Sequence, residues 1–110
     1  MKLTFDAYQE MASDTAVYPE RHKVVYPIIG LVGEAGELAN KIKKVLRDKD
    51  GVIDDDARQA LVAELGDVLW YLSAVATDLG VHLRHVADAN LAKLAERKAR
   101  GTLQGSGDNR

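Results

Sequence analysis

The chain has 110 residues, of which 46% are hydrophobic and 29% charged, as in a single soluble globular domain. Its formal net charge of -2 gives no basic surface for general nucleic-acid binding, and the absence of cysteine excludes disulfides and thiolate metal ligands. The N-terminus is polar, and no apolar run approaches the roughly 20 residues that cross a bilayer. We therefore expect a cytoplasmic protein with no membrane partner and no nucleic-acid partner.

Helical periodicity predicts an all-α domain over residues 1–100, resembling a four-helix bundle and completed by oligomerisation. The predicted helices span residues 4–13, 27–48, 54–79 and 82–100. Thr4 is a suitable N-cap, Pro27 suits a first helical turn, and Gly80 suits a C-terminal stop. The glycine-rich tail, residues 101–110, is predicted to be a loop that stays mobile or closes over a ligand.

The segment GLVGEAGELANKIKK, residues 30–44, places three glycines within seven positions of the second helix. Each glycine inside a helix costs about 0.5–1 kcal/mol relative to alanine. Glu34 lies within the apolar stripe of this helix, and Glu37 follows one turn later. We interpret Gly33 and Gly36 as space for another helix, water or phosphate beside these acids, and Gly30 only as an aid to packing near Pro27.

The third helix repeats the pattern, since Glu64 interrupts its apolar stripe and Asp67 follows three residues later. The predicted inward residues of that stripe are Leu61, Leu65, Val68, Leu72, Val75 and Leu79. Both acid pairs are therefore expected to face the interior. Two charges 4 Å apart repel by about 4 kcal/mol at an effective dielectric of 20, so the cluster needs protons, basic partners or a divalent cation. Oxygen ligands without cysteine or histidine favour Mg²⁺ or Mn²⁺.

Two other interpretations of the acids remain open at this point. Glu34 and Glu37 are also compatible with ordinary helix-surface charges, with Glu37 paired to Lys41 four residues on. A di-iron carboxylate bundle requires Glu-x-x-His on two helices, but Glu37 and Asp67 occupy the positions where histidine is needed. We expect the histidines near the start of the fourth helix to be surface residues.

The two motifs together resemble those of the MazG-like nucleotide pyrophosphohydrolases, an all-α family. Here the motifs are Glu34-Ala-Gly-Glu37 and Glu64-Leu-Gly-Asp67, with 26 residues between them. The resemblance extends over roughly residues 4–110, although Gly33 replaces the first glutamate of the EExxE form. It implies Mg²⁺-dependent hydrolysis of a nucleoside triphosphate to a monophosphate and pyrophosphate, as nucleotide-pool house-cleaning.

By motif position, the resemblance implies that the metal ligands are Glu34, Glu37, Glu64 and Asp67. We expect Glu37 to be the general base, accepting the proton of the attacking water. Two alternatives remain: an enzyme similar to phosphoribosyl-ATP pyrophosphohydrolase, and a non-catalytic helical interaction module with the acids in structural ion pairs.

Phosphate contacts are predicted mainly on the fourth helix, where Asn90, Lys93 and Arg97 follow a spacing of i, i+3, i+7 and share one face. Such a face is also compatible with a solvated basic helix end. Lys41 and Tyr71 are further candidates for substrate binding. Family members of this size assemble, so the resemblance implies a homodimer or homotetramer.

Overall fold

The computed structural model describes residues 2–110, and this part of the chain contains four α-helices and no strand. The helices are α1 (Phe5–Ser13), α2 (Val25–Asp48), α3 (Asp55–Asp78) and α4 (Leu83–Arg100), with a 3₁₀ turn at Glu20–His22 before α2. The predicted all-α class is confirmed, and the arrangement is consistent with a helical bundle.

Local sequence explains most helix ends. The Thr4 hydroxyl accepts a hydrogen bond from the Ala7 N–H at 3.1 Å, so the predicted N-cap of α1 is confirmed. Asp54 caps α3 in the same way, accepting from the Ala57 N–H at 2.8 Å. Gly80 follows α3 with a φ of 74°, a conformation that glycine adopts without steric cost.

Helix α2 begins two residues before Pro27, because a tight turn at Val24 starts it. Val24 has φ 68° and ψ -59°, and the Val25 N–H donates to the Lys23 carbonyl at 2.8 Å, which defines a γ-turn with positive φ. This conformation is strained for a β-branched residue. Asp78 of α3 holds it by accepting from the Val24 N–H at 2.9 Å and from the Tyr18 hydroxyl at 2.7 Å.

The helices α2 and α3 pack as an antiparallel hairpin, α1 lies against α3, and α4 lies against both α1 and α3. Helix α3 is therefore central. Its most buried side chains are mainly small and, with the exception of Glu64, let neighbouring helices approach closely: Ala57, Glu64, Ser73, Ala74 and Ala76. The predicted inward positions of Leu65 and Leu79 are wrong, because these side chains are 53% and 59% exposed.

The described chain buries little apolar surface for its length. Its Cα radius of gyration is 16.8 Å, whereas a compact chain of this size has about 13 Å. Two apolar stripes lie exposed: Val25, Ile29 and Val32 on α2, and Val62, Leu65 and Leu69 on α3.

Helix α3 is long and apolar enough to cross a membrane by length and composition alone, contrary to the expectation from sequence. However, Glu64 and Asp67 lie within its apolar part, and an acidic side chain at the centre of a bilayer costs about 2.5–3.5 kcal/mol. Since α3 also packs against three other helices, we interpret it as the central helix of the bundle. The absence of a membrane partner stays a prediction.

Candidate functional site

Three carboxylates meet across the α2–α3 hairpin: Glu34 from α2, and Glu64 and Asp67 from α3. One oxygen from each lies within 4.8 Å of the others. The three residues differ in depth, since Glu64 is buried, Glu34 is half-buried and Asp67 is exposed. The cluster therefore has a buried end at Glu64, between the two helices, and a solvent-exposed end at Asp67.

Glu64 is the electrostatic centre of this cluster. The Lys41 Nζ atom lies 3.0 Å from Glu64 Oε1. This lysine lowers the pKa of Glu64, and a hydrogen bond between Glu64 and Glu34 lowers it further. The pKa of Glu34 is raised, first by that hydrogen bond, then by burial and by the neighbouring negative charges. The second oxygen, Glu64 Oε2, is buried and has no hydrogen-bond partner. An unpaired buried carboxylate oxygen is costly, so this atom indicates a place for a cation.

Glu37 is exposed and lies outside the three-carboxylate cluster, contrary to the expectation that it faces the interior. Its negative charge adds to the raised pKa of Glu34, after the larger effects of Glu64, burial and Asp67. The alternative pairing of Glu37 with Lys41 is not formed. Lys41 instead bonds Glu64 on the other helix, where burial strengthens the attraction.

Tyr71 is placed beside the cluster by Gly30. A Cβ atom at Gly30 would lie 2.1 Å from Tyr71 Cε1, so only glycine lets the ring lie against α2. Burial raises the pKa of the Tyr71 hydroxyl, and the nearby Tyr26 and Glu34 add to this shift. Gly30 therefore serves packing, as the sequence suggests, and the group that it admits is the Tyr71 ring.

The other glycines of the two motifs face open space. A Cβ atom added at Gly33, Gly36 or Gly66 would meet no atom of the described residues within 4 Å beyond its own helix. All three lie on or beside the exposed apolar stripes of α2 and α3. The space that they leave is available for another molecule and is not used by this chain.

The predicted phosphate-binding cations of α4 contact the C-terminal tail. Lys93 Nζ lies 2.6 Å from Asp108 Oδ1, and the buried Arg97 donates to the same oxygen at 3.1 Å and to the Asp108 carbonyl. These bonds lower the pKa of Asp108. Asn90 is exposed, and no hydrogen bond or ion pair among residues 2–110 joins it, Lys93 or Arg97 to the carboxylate cluster.

Sequence reasoning missed two tyrosines near the site. The pKa of Tyr8 on α1 is raised by burial and by the charge of Asp67, and Tyr26 stacks on Tyr18 with ring centroids 4.7 Å apart. A cavity of about 230 Å³ lies between α1, the segment before α2, and α3, and Trp70 forms part of its wall. The Asp78 contacts to Tyr18 and Val24 fold the connecting segment that forms one side of this cavity.

Comparison with known proteins identifies the family. The MazG nucleotide pyrophosphohydrolase domain matches residues 27–101, which is more than half of the chain. The chain belongs to the MazG nucleotide pyrophosphohydrolase family. The Gene 37 protein of Mycobacterium phage L5 is 56% identical over 111 residues, covering 96% of this chain and 97% of that protein. No solved structure matches.

The MazG match contains the whole carboxylate cluster, together with Lys41, Tyr71 and the polar residues of α4. Helix α1, which carries Tyr8, lies before the matched segment. The matched segment thus spans the α2–α3 hairpin that supplies the acids, and it also includes α4.

Proposed function

We propose that this MazG protein hydrolyses a nucleoside triphosphate or deoxynucleoside triphosphate to the monophosphate and pyrophosphate, in a reaction that requires Mg²⁺. The observation that carries the proposal is the carboxylate cluster of Glu34, Glu64 and Asp67, with the unpartnered Glu64 Oε2 at its buried end. Removal of non-standard or surplus nucleotides in the cytoplasm is the role that fits this chemistry.

The side chains present fit a hard divalent cation, because they offer only carboxylate oxygens and one of these is buried without a partner. Glu34, Glu64 and Asp67 would hold Mg²⁺ or Mn²⁺, with Glu37 as a further ligand from the exposed rim. When bound, such an ion offsets negative charge on phosphate oxygens and lowers the pKa of water.

The remaining roles fall to side chains around the cluster. Glu37 is exposed and free of the Lys41 pairing, so its carboxylate is available to accept the proton of the attacking water. The Tyr71 hydroxyl, held beside Glu34 by Gly30, can donate to a phosphate oxygen. Lys41 is a further phosphate candidate at the inner end of the cluster.

On α4, Lys93 and Arg97 both bind the Asp108 carboxylate. Two cations are therefore already arranged around one anionic group, which supports a phosphate site here. We propose that a phosphate group replaces the Asp108 carboxylate here, with Asn90 as a neutral donor on the same face. The tail of residues 101–110 would then rearrange and close over the substrate.

We further propose that the protein acts as a homodimer or homotetramer. The two exposed apolar stripes of α2 and α3 leave hydrophobic surface that a second copy would cover. Open glycines on these faces would allow a partner helix to come close.

The activity is tested by a panel of nucleoside triphosphates and deoxynucleoside triphosphates with Mg²⁺, Mn²⁺ or EDTA, with products identified by chromatography. We expect monophosphate plus pyrophosphate, which distinguishes this reaction from stepwise phosphate removal. Including phosphoribosyl-ATP in the panel tests the related activity directly. If no nucleotide yields pyrophosphate above the EDTA control, the helical interaction module becomes the better account.

Substitution of the cluster links the activity to the site. Glu64→Gln and Asp67→Asn should each lower kcat/KM by at least about 100-fold, because loss of a ligand exceeds the 10–100-fold loss typical of its supporting groups. The helical circular dichroism spectrum should be unchanged. Asp88→Asn, which removes an exposed carboxylate of α4, is the matched control and should retain activity.

A further inference from the structure

We infer that the protein carries its own counter-ion for the metal centre: the Lys41 ammonium stabilises the ion-free fold and competes with the divalent cation for Glu64. The inference rests on the proposed metal site and adds a residue that governs how tightly the ion binds. It predicts that loss of the Lys41 charge strengthens ion binding.

The geometry places Lys41 at the buried end of the cluster. Its Nζ lies 3.0 Å from Glu64 Oε1 and 3.5 Å from the Ala60 carbonyl, so the side chain spans from α2 to α3. The Lys41 side chain is 36% exposed, whereas that of Glu64 is 10% exposed. The lysine can therefore swing out to solvent, but the glutamate cannot.

Charge compensation explains why one cation must be present. Three carboxylates lie together, and a buried carboxylate without a partner is strongly destabilising. In the ion-free protein, Lys41 supplies the compensation at one oxygen of Glu64, while the other oxygen stays unpartnered. A divalent cation at that second oxygen would supply more charge and would be repelled by the nearby ammonium.

The size of the competition follows from Coulomb's law. An ammonium and a divalent ion about 6 Å apart, in a medium as polar as water, repel enough to weaken binding about tenfold. Partial burial would increase this factor, and movement of Lys41 into solvent would reduce it.

Lys44 provides a matched control on the same helix face. It lies one turn beyond Lys41, is exposed, and makes no ion pair with any of residues 2–110. If only the overall protein charge matters, removing the charge of Lys44 or of Lys41 should change the Mn²⁺ affinity to a similar extent. If the effect passes through Glu64, only the change at Lys41 should alter this affinity.

The test measures Mn²⁺ binding to the full chain by isothermal titration calorimetry, together with thermal unfolding in EDTA and in saturating Mn²⁺. Lys41→Gln should bind Mn²⁺ about tenfold more tightly than the unsubstituted protein. It should also have a Tm several degrees lower in EDTA, a deficit that Mn²⁺ largely removes. Lys41→Arg, which keeps the charge, and Lys44→Gln should both stay close to the unsubstituted protein.

A double variant shows whether the gain passes through Glu64. Glu64→Gln alone and Glu64→Gln combined with Lys41→Gln should bind Mn²⁺ with the same affinity, because Lys41 then has no carboxylate at residue 64 to compete for. If the gain survives, the competition is not at Glu64 and the inference is overturned.

Other outcomes separate this inference from the proposed function. If Lys41→Gln raises KM for the nucleotide but leaves Mn²⁺ affinity unchanged or weaker, Lys41 is only a substrate contact, so the inference fails while the pyrophosphohydrolase activity stands. If neither protein binds Mn²⁺, the inference and the metal site fail together. If the unsubstituted protein releases no pyrophosphate from any nucleotide, but Lys41→Gln binds Mn²⁺ tenfold more tightly, the proposed reaction is overturned. The role of Lys41 as a counter-ion is then supported.

Discussion

At the scale of single residues, the glycines of α2 have opposite structural roles despite their similar sequence context. Gly30 is enclosed by the ring of Tyr71, whereas Gly33 faces open space one turn later. Sequence alone gives both the same penalty for helix formation. The difference arises from the register in which α3 packs on α2, which no local pattern encodes.

This difference predicts opposite effects of alanine. Gly30→Ala should lower the free energy of unfolding by about 1–3 kcal/mol, because the Cβ atom displaces Tyr71 from its place against α2. Gly33→Ala should raise it by about 0.5–1 kcal/mol in the isolated chain, because the helix gains alanine propensity. Urea unfolding of both variants at low protein concentration measures the contrast.

Pyrophosphate release by the same two alanine variants gives a second comparison between Gly30 and Gly33. Gly30→Ala should also reduce pyrophosphate release, since it moves a candidate phosphate contact. If Gly30→Ala is as stable and active as the unsubstituted protein, the Tyr71 placement is wrong. If Gly33→Ala is stabilised but inactive, another molecule must approach α2 at that glycine during catalysis.

At the scale of elements, the C-terminal tail and α4 form one unit through Asp108. The carboxylate satisfies Lys93 and Arg97, and Arg110 donates to the carbonyls of Thr102, Leu103 and Gly107, which folds the tail upon itself. The tail thus occupies the cations that we propose for phosphate. In the proposed reaction, the Asp108 carboxylate and a substrate phosphate would therefore compete for these two cations.

Asp108→Asn should therefore lower the KM for the nucleotide several-fold with little change in kcat, because phosphate no longer has to displace a charged group. Steady-state kinetics on the best nucleotide of the panel measures this. Asn109→Ala, which alters the neighbouring position without removing a charge, is the control. A higher KM for Asp108→Asn would mean that this carboxylate helps the tail to hold substrate.

The same contact predicts a pH dependence of tail docking. The pKa of Asp108 lies below its usual 3.8 because Lys93 and Arg97 bind the ionised form. The stabilisation is fully present above the unfolded pKa and is lost as the pH falls through the lower, folded value. The protection factors of the tail amides, which correct for the pH dependence of intrinsic exchange, should therefore be higher above pH 4 than below it. In Asp108→Asn the protection factors should be low at both pH values.

At the scale of the whole molecule, the sequence predicts the helices and their approximate ends but not their packing. Thr4 and Asp54 cap helices by short-range hydrogen bonds, which residue type and spacing reveal. Helix α2 begins earlier than predicted because the Val24 N–H donates to the Asp78 carboxylate, 54 residues along the chain. Helical periodicity gives no information on such a long-range contact.

The carboxylate site is similarly divided between predictable and unpredictable parts. The spacing of the two motifs predicts that acids from α2 and α3 meet, and Glu34, Glu64 and Asp67 do so. It does not predict that Glu37 stays at the rim or that Lys41 crosses to Glu64, because both depend on how the hairpin is rotated. The roles of all four acids in binding and catalysis stay predictions.

The exposed stripes predict that the chain associates in solution. Val32→Lys should shift the protein toward the monomer in light-scattering chromatography, because the charge would be buried in the interface. Val17→Lys is the matched control, since Val17 is 92% exposed and lies outside both stripes. An identical mass for Val32→Lys and the unsubstituted protein would place any interface elsewhere.

The open glycines have a consequence for how the proposed pyrophosphohydrolase activity should depend on protein concentration. Gly36 and Gly66 each lie next to a member of the carboxylate motifs and face the side where a second copy would pack. The surface that joins two chains would then border the surface that performs the reaction. In that arrangement only the oligomer would be active. Turnover per chain would therefore fall when dilution separates the chains, even though each chain contains every acid of the site.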